Sequence, residues 1–317
     1  MAVSFSPLRY PGGKQILARI LSHLIRLNGL EGGVYVEPYA GGAGAALSLL
    51  YGEHVRQVII NDADVRIFAF WHSVLNRTKQ LVELIQETPL SVAEWRKQRE
   101  TYLRPKRNSL LRVGFAAFYL NRCNRSGIIA NGGLIGGLQQ KGQWKLDARF
   151  NRSDLARRVE RVAGYGDRIQ VYNLDAMALL KQEIPKPGLV GRSFVYLDPP
   201  YYSKGSQLYL NHYVPNDHIE LSRFLHSAQF TWALSYDNVP AIRKLYSDFR
   251  QISFNLGYSA RAWRIGKELL VVPPQVAFPI AWPKKIPDQF ITSADRLPRA
   301  LPAKAAKMKN RRRRTRH

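Results

Sequence analysis

The residues with the most specific chemistry are Asp198-Pro199-Pro200-Tyr201. They follow the apolar run Phe194-Val195-Tyr196-Leu197, so a buried strand delivers a carboxylate, a stiff turn and an aromatic ring to one point. The two prolines remove two N–H donors and leave their carbonyls as fixed acceptors. Such a set suits a poorly nucleophilic aromatic amine, and the exocyclic N6 of adenine is the model case. If Asp198 and the Pro199 carbonyl each accept one amine hydrogen, the nitrogen is held toward tetrahedral geometry. Its lone pair then points at an electrophilic methyl group while Tyr201 stacks on the base. The gain comes from positioning and electrostatics rather than a covalent intermediate. A base in a duplex must leave its stack to reach such a pocket, at a cost on the order of a few kcal/mol. The plain alternative is an ordinary turn after a strand.

Two upstream features supply a partner for that loop. Val34-Tyr35-Val36 reads as a short buried strand, followed by Glu37-Pro38-Tyr39-Ala40-Gly41-Gly42-Ala43-Gly44 and the small-residue helix Ala45–Leu50. Glycines there let a backbone approach a ligand and aim helix N–H groups at it. The next buried strand, Gln57–Ile60, ends in Asn61-Asp62-Ala63-Asp64. An acidic group at that point accepts hydrogen bonds from ribose hydroxyls, or alternatively caps the next helix. Together these features expect a nucleoside-bearing cofactor at the carboxyl ends of a parallel sheet. They do not by themselves separate a nicotinamide cofactor from S-adenosylmethionine; the Pro-Pro loop favours the latter.

In their order along the chain these motifs resemble the adenine-N6 DNA methyltransferases of the Dam type, the D12 class. Arg9-Tyr10-Pro11-Gly12-Gly13-Lys14 is similar to the family's N-terminal cofactor motif, and Glu37 to Gly44 to its glycine-rich motif. Asn61-Asp62 resembles its ribose-binding turn, and Leu120-Asn121-Arg122 the start of its target-recognition hairpin. Asp198–Tyr201 resembles its catalytic motif and Glu268-Leu269-Leu270 its closing strand. The resemblance implies S-adenosylmethionine as cofactor and Asp198, Pro199, Pro200 and Tyr201 as catalytic residues. It implies Tyr10, Gly12, Lys14, Glu37, Tyr39, Gly41, Gly42, Gly44, Asp62 and Asp198 around the cofactor. Asp175, in Asn173-Leu174-Asp175-Ala176 after a strand, faces the cofactor adenine or caps a helix. Dam proteins that read GATC carry Asn-Gly-Leu-x-Arg after Asn-Arg; here the stretch is Ser126-Gly127-Ile128-Ile129-Ala130, so GATC is not carried over. Arg122, Arg125, Gln139, Gln140, Lys141 and Lys145 remain as DNA contacts.

The elements that must position these residues read as an α/β chain, a Rossmann-like class I methyltransferase sheet with an inserted, mainly helical target-recognition domain. Residues 1–64 and 166–283 form the catalytic part, 65–165 the helical insertion and 284–317 a disordered basic tail. Strand patterns at Arg168–Tyr172, Ser193–Leu197, Phe230–Leu234, Phe249–Phe254 and Glu268–Val272 resume after the insertion, with helices at Asp217–Ser227 and Val239–Tyr246. The chain has 317 residues, with 48 Lys+Arg against 23 Asp+Glu, a net charge of +25. Arg96 to Arg168 holds 17 basic and 5 acidic residues, and Lys284 to His317 holds 12 and 2. A double-stranded DNA partner is expected to meet the middle of the chain, with the tail as an auxiliary arm.

One cysteine, Cys123, excludes an internal disulfide framework and a Cys-rich zinc site, and no required metal is expected. No run of 18 apolar residues marks a membrane span, and the first 30 residues lack a signal-peptide pattern. The expected home is a bacterial or phage-infected cytoplasm, beside the nucleoid, with a companion restriction endonuclease as partner. Cytosine C5 methylation needs a cysteine nucleophile, which Cys123 between Arg122 and Asn124 does not suit. Cytosine N4 enzymes usually carry Ser at the Asp198 position and RNA adenine enzymes more often Asn. An inactive DNA-binding relative is opposed by the intact glycines, Asp62 and Asp198–Tyr201. A dehydrogenase does not explain the Pro-Pro loop or the basic middle.

Overall fold

The apolar runs of the sequence are the strands of one sheet in the computed structural model, which describes residues 5–9, 17–203, 213–259 and 263–279. Seven strands are described: β1 (Val34–Glu37), β2 (Gln57–Asn61), β3 (Ile169–Tyr172), β4 (Ser193–Leu197), β5 (Thr231–Asp237), β6 (Arg250–Ser259) and β7 (Trp263–Val272). They lie in the order β3-β2-β1-β4-β5-β7-β6. The first five are parallel, and β7 runs antiparallel between β5 and β6. The order turns back between β1 and β4, which is where an open parallel sheet leaves a crevice at its carboxyl edge.

Both faces of the sheet are buried, which is why its central strands read as continuous apolar runs rather than alternating ones. Tyr35, Ile60, Phe194 and Tyr196 point to one face, and Val36, Ile59, Val195 and Leu197 to the other. The second face is covered by α8 (Ala176–Gln182), α9 (Pro215–His226) and α10 (Pro240–Leu245), through Leu179, Leu221, Leu225 and Ile242. The first carries α1 (Ala18–Leu27), α2 (Gly44–Tyr51) and five helices from the middle of the chain.

Those five are α3 (Val65–Asn76), α4 (Thr78–Glu87), α5 (Val92–Leu103), α6 (Leu110–Cys123) and α7 (Arg152–Ala163). Side chains start four of them: Asp64 accepts from Arg66 N–H, Ser91 from Glu94 N–H, Ser109 from Arg112 N–H and Asn151 from Asp154 N–H. Phe70 of α3 stacks on Phe118 of α6 at 5.6 Å, and Phe150 meets Phe118 edge-on at 5.6 Å. These rings join the cluster that holds Leu21, Tyr35, Ile60 and Phe194 under the sheet; Tyr102, Ala116, Ala117 and Leu120 form a smaller one beside it. The strands and helices expected from sequence lie within a few residues of their expected ends, except that β6 and β7 form a longer hairpin of 10 residues each. The tail 284–317 and the motif Tyr10–Lys14 lie outside the described residues.

Gly114 sets the distance between α3 and α6. A Cβ there would sit 2.5 Å from the Ala69 carbonyl oxygen and 2.7 Å from Phe70 N, both backbone atoms that cannot turn aside. Gly114→Ala should therefore destabilise the fold by about 1–3 kcal/mol, despite alanine's better helix propensity. Urea unfolding with an unchanged or higher midpoint would contradict this packing.

Candidate active site

The carboxyl edge of the sheet brings together the ends of β1, β2, β3, β4 and β5. Asn61, 1% exposed, ends β2 and works as a fastener. Its amide donates to the Pro38 carbonyl at 2.9 Å and the Leu174 carbonyl at 3.0 Å, and its side-chain oxygen accepts from Leu174 N at 2.9 Å. The Asn61 backbone carbonyl accepts from Ala40 N at 2.8 Å. One residue therefore fixes the turn after β1 against the turn after β3.

Asp62 continues that seam. Its carboxylate accepts from Gly41 N at 3.0 Å and from Asp64 N at 2.9 Å. Asp64, not Asp62, caps α3. Gly41 has φ of 46°, a left-handed conformation, and its carbonyl accepts from Trp71 Nε1 at 2.9 Å. Ala43 repeats that conformation at φ 47°, one residue before α2. Glu37 lies buried beneath this turn, accepting from the Tyr35 hydroxyl at 2.9 Å and from Ala46 N at 3.2 Å. Tyr39 shares a 2.6 Å hydroxyl contact with Tyr213. Asp175, exposed after β3, accepts from Met177 N and Ala178 N at 2.9 and 3.2 Å, so it caps α8.

The Asp198–Tyr201 loop leaves β4 next to this turn, because β1 and β4 pair in register. Two prolines leave the loop few donors of its own, and it is held from the strands beside it. Ser235 of β5 donates to Asp198 Oδ1 at 2.8 Å. The Tyr201 hydroxyl donates to Glu268 Oε1 on β7 at 2.8 Å. Asp237, opposite Glu268 in the β5–β7 register, accepts from Tyr202 N at 2.9 Å, Ser203 N at 3.0 Å and the Ser203 hydroxyl at 2.6 Å. His218 of α9 is buried below, 2.7 Å from the Tyr236 hydroxyl through Nδ1, with the Tyr202 ring 5.0 Å away; burial lowers its pKa. Sequence reading missed Ser235, Asp237 and His218, and saw Glu268 only as part of a strand. The signal was there: a serine and two acids flank the apolar runs Trp232–Leu234 and Leu269–Val272.

The expected DNA contacts separate into two groups. Arg122 is 6% exposed, and its Nε and Nη2 both donate to the Pro7 carbonyl. Burial, with Arg158 and Arg9 nearby, pushes its pKa down to about 9. Arg122 as a phosphate contact is therefore corrected: the last turn of α6 faces inward, and the guanidinium ties down the N-terminal segment. Its neighbour Asn121 is fully buried and bonds both Arg9 N and Arg9 O, at 2.7 and 2.6 Å, and the Gly127 carbonyl at 2.8 Å. Gln140 is used inside the loop, donating to Ile135 O and Gly137 O and accepting from Leu146 N. Arg125, Gln139, Lys141 and Lys145 are exposed, together with Trp144 at 67% and Leu138 at 57%. Cys123 is buried, which pushes its thiol up to about 12, so it is no nucleophile at neutral pH. Tyr10, Gly12 and Lys14 lie outside the described residues.

A sheet in this order, with its last strand reversed and its polar edge at the ends of β1, β2 and β4, is a Rossmann-like methyltransferase sheet. The family model for D12 class N6 adenine-specific DNA methyltransferases matches residues 10–259, and the chain belongs to that family; it is a DNA adenine methyltransferase. No curated protein matches the chain. Among solved structures, an uncharacterized protein from Listeria monocytogenes serotype 4b is similar, with 7% identity and a TM-score of 0.33, over 83% of this chain and 70% of that one. Among the described residues no helix is long and apolar enough to cross a membrane, and no cluster of His, Cys, Asp and Glu is arranged to hold a metal.

Burial dominates the electrostatics of this edge. It raises the Asp62 carboxyl to about 7, with Asp64 adding repulsion. It raises Glu37 to about 8, with the charge of Asp198 opposing ionisation further. A folded-state pKa above the unfolded value means that the proton favours the fold. Stability from Glu37 is thus complete below its ordinary value of 4.5 and is lost as pH rises through 8. Glu37→Gln cannot ionise, so its thermal midpoint relative to wild type should be higher at pH 9 than at pH 6. An equal difference at both pH values would show that Glu37 does not ionise at a buried site.

Proposed function

We propose that the methyl donor is S-adenosylmethionine and that the target adenine is rotated out of double-stranded DNA to reach Asp198–Tyr201. The observation that carries this reading is the position of that loop, at the end of β4 beside the glycine turn of β1. The edge fits the cofactor's chemistry. Gly41 adopts a conformation that side chains resist, leaving backbone close to a ligand. Asp62 offers acceptor oxygens for ribose hydroxyls, and the charge of a cationic cofactor would favour the ionisation of Glu37 that burial otherwise opposes. In this reading Glu37, Tyr39, Gly41, Gly42, Gly44 and Asp62 hold the cofactor, and Asp175 lies on its adenine side. Tyr10, Gly12 and Lys14 complete the site. When bound, S-adenosylmethionine supplies an electrophilic methyl group.

The chain's own residues then do the rest. Asp198 and the Pro199 carbonyl accept the two N6 hydrogens and turn the nitrogen lone pair out of the ring's conjugation. Pro200 keeps the loop stiff. Tyr201, held at its hydroxyl by Glu268, stacks on the base. Excluding water strengthens each of these contacts. Residues 65–165 act as the target-recognition segment, with duplex lying against Arg125, Gln139, Lys141, Lys145 and the exposed Trp144. The enzyme works in the cytoplasm of a bacterial or phage-infected cell, close to the nucleoid, with a companion endonuclease as partner.

Expression of the chain in a host lacking adenine methylation, followed by long-read sequencing, should reveal N6-methyladenine at one sequence motif. Asp198→Ala should abolish it while duplex binding stays within about threefold. Methylation by that variant at the wild-type rate would sink the mechanism. Charge removal at Arg125, Lys141 and Lys145 together should weaken duplex binding and reduce the slope of log affinity against log salt by about 2–3. Arg122→Gln should instead lower stability; a reduced salt slope in a fully stable Arg122→Gln protein would return that residue to the DNA face.

A further inference from the structure

Asp198 is named by its motif, but nothing in that motif says how its carboxylate is aimed. The orientation comes from a buried relay in the sheet. Tyr196 and Asp198 are two residues apart on β4 and its extension, so their side chains leave on the same face. Ser235 follows Leu234, which pairs with Leu197 in the parallel register of β4 and β5, and so stands across from Asp198. Its Oγ lies 2.8 Å from Asp198 Oδ1 and 2.7 Å from the Tyr196 hydroxyl. Ser235 is fully buried and Tyr196 is 2% exposed.

The direction of this relay follows from proton counting. An ionised carboxylate only accepts, so Ser235 donates to Asp198. A serine hydroxyl has one proton, so Tyr196 must donate to Ser235. The chain Tyr196 → Ser235 → Asp198 therefore has a single polarity, and each bond strengthens the next in a water-poor setting. Its neighbours on β5 have other partners: Tyr236 turns to the opposite face and bonds His218, and Asp237 serves Tyr202 and Ser203.

We propose that Ser235, supported by Tyr196, is a positioning residue for the methyl transfer: it fixes the rotation of the Asp198 carboxylate so that the carboxylate meets the adenine amine at one angle. The inference rests on the function proposed above and adds a residue that the family's catalytic motif does not contain. Its consequence is kinetic. Misaiming by a fraction of an ångström to an ångström costs up to about 100-fold in rate without weakening ground-state binding.

The test uses the full chain and a duplex carrying the motif found by sequencing. Single-turnover methylation, the dissociation constants for S-adenosylmethionine and for duplex, and thermal midpoints are measured for wild type and variants. Ser235→Ala should lower the single-turnover rate tenfold or more, with both dissociation constants within twofold of wild type. Ser235→Thr, which keeps the hydroxyl, should restore most of the rate. Tyr196→Phe should slow the reaction by a smaller factor and add nothing in the Ser235→Ala background, because the relay is already broken. Wild-type rates in Ser235→Ala, or independent losses in the double variant, overturn the relay. So does a rate loss in Ser235→Ala matched by equal losses of both affinities, which marks a merely structural serine. If Ser235→Ala does not fold, Tyr196→Phe decides, and a wild-type rate there overturns the proposal. A wild-type protein that forms no N6-methyladenine overturns the functional reading, and this one with it. An active wild type with an unaffected Ser235→Ala overturns the positioning role alone.

Discussion

The edge of this sheet depends on one buried side chain, the carboxamide of Asn61. When the turns after β1 and β3 converge, their backbone groups are carried away from water and each needs a partner. A buried, unsatisfied amide or carbonyl costs about 1–3 kcal/mol. Asn61 meets this demand because it is both donor and acceptor, taking Pro38 O, Leu174 O and Leu174 N at once. Aspartate in the same place has no donor, and leucine has neither. With the two turns locked, Asp62 can reach Gly41 N, and the glycine turn keeps its left-handed backbone. This edge is thus assembled from β2 outward.

The Asp198–Tyr201 loop obeys the opposite constraint. Its prolines make it stiff and remove two donors, so the amides that reach the sheet lie just after them, at Tyr202 and Ser203. Ser235, Asp237 and Glu268 hold it from β5 and β7. This gathers Glu37, Asp62, Asp198, Asp237 and Glu268 around one edge of a protein whose net charge is +25. Carboxyl groups gathered there suit the proposed cationic cofactor better than they suit phosphate. In the proposed reading, affinity for DNA comes from its surroundings, the exposed basic side chains of the loop after α6.

The sheet was legible in the sequence because its strands are buried on both faces and stand out as short apolar runs between glycines and acids. The Asp198–Tyr201 loop was legible for the same reason: Asp198 and two prolines end such a run. The supports were not, since they come from strands distant in the chain. Ser235 lies 37 residues from Asp198, and Glu268 lies 67 from Tyr201. Nothing local in Ser235-Tyr236-Asp237 says which loop will arrive beside it. Asp62 and Asp64 illustrate the same limit. Either reads as a helix cap, and only the geometry gives the cap to Asp64 and the glycine turn to Asp62.

Arg122 shows why a count of basic residues differs from a basic surface. Between Arg96 and Arg168 several guanidiniums hold the fold together. Arg122 donates to Pro7 O, and Arg152 to Ile85 O and Thr88 O. Arg158 reaches Ser6 O and Asp154, and Arg168 reaches Glu53 and Val55 O. Arginine suits this work because its planar fork serves two acceptors and it stays charged even when burial lowers its pKa. Each guanidinium so used is oriented by protein carbonyls or carboxylates and is a weaker partner for phosphate. In the proposed reading the polyanion meets exposed side chains instead, Arg125, Lys141 and Lys145 among them, with the Lys145 ammonium also donating to the Gln140 carbonyl. They sit on a loop whose shape is held from within by Gln140. Charge that builds the helical layer is thus distinct from charge left at the surface. If the loop after α6 reads DNA as proposed, its exposed residues can change without disturbing the core beneath it.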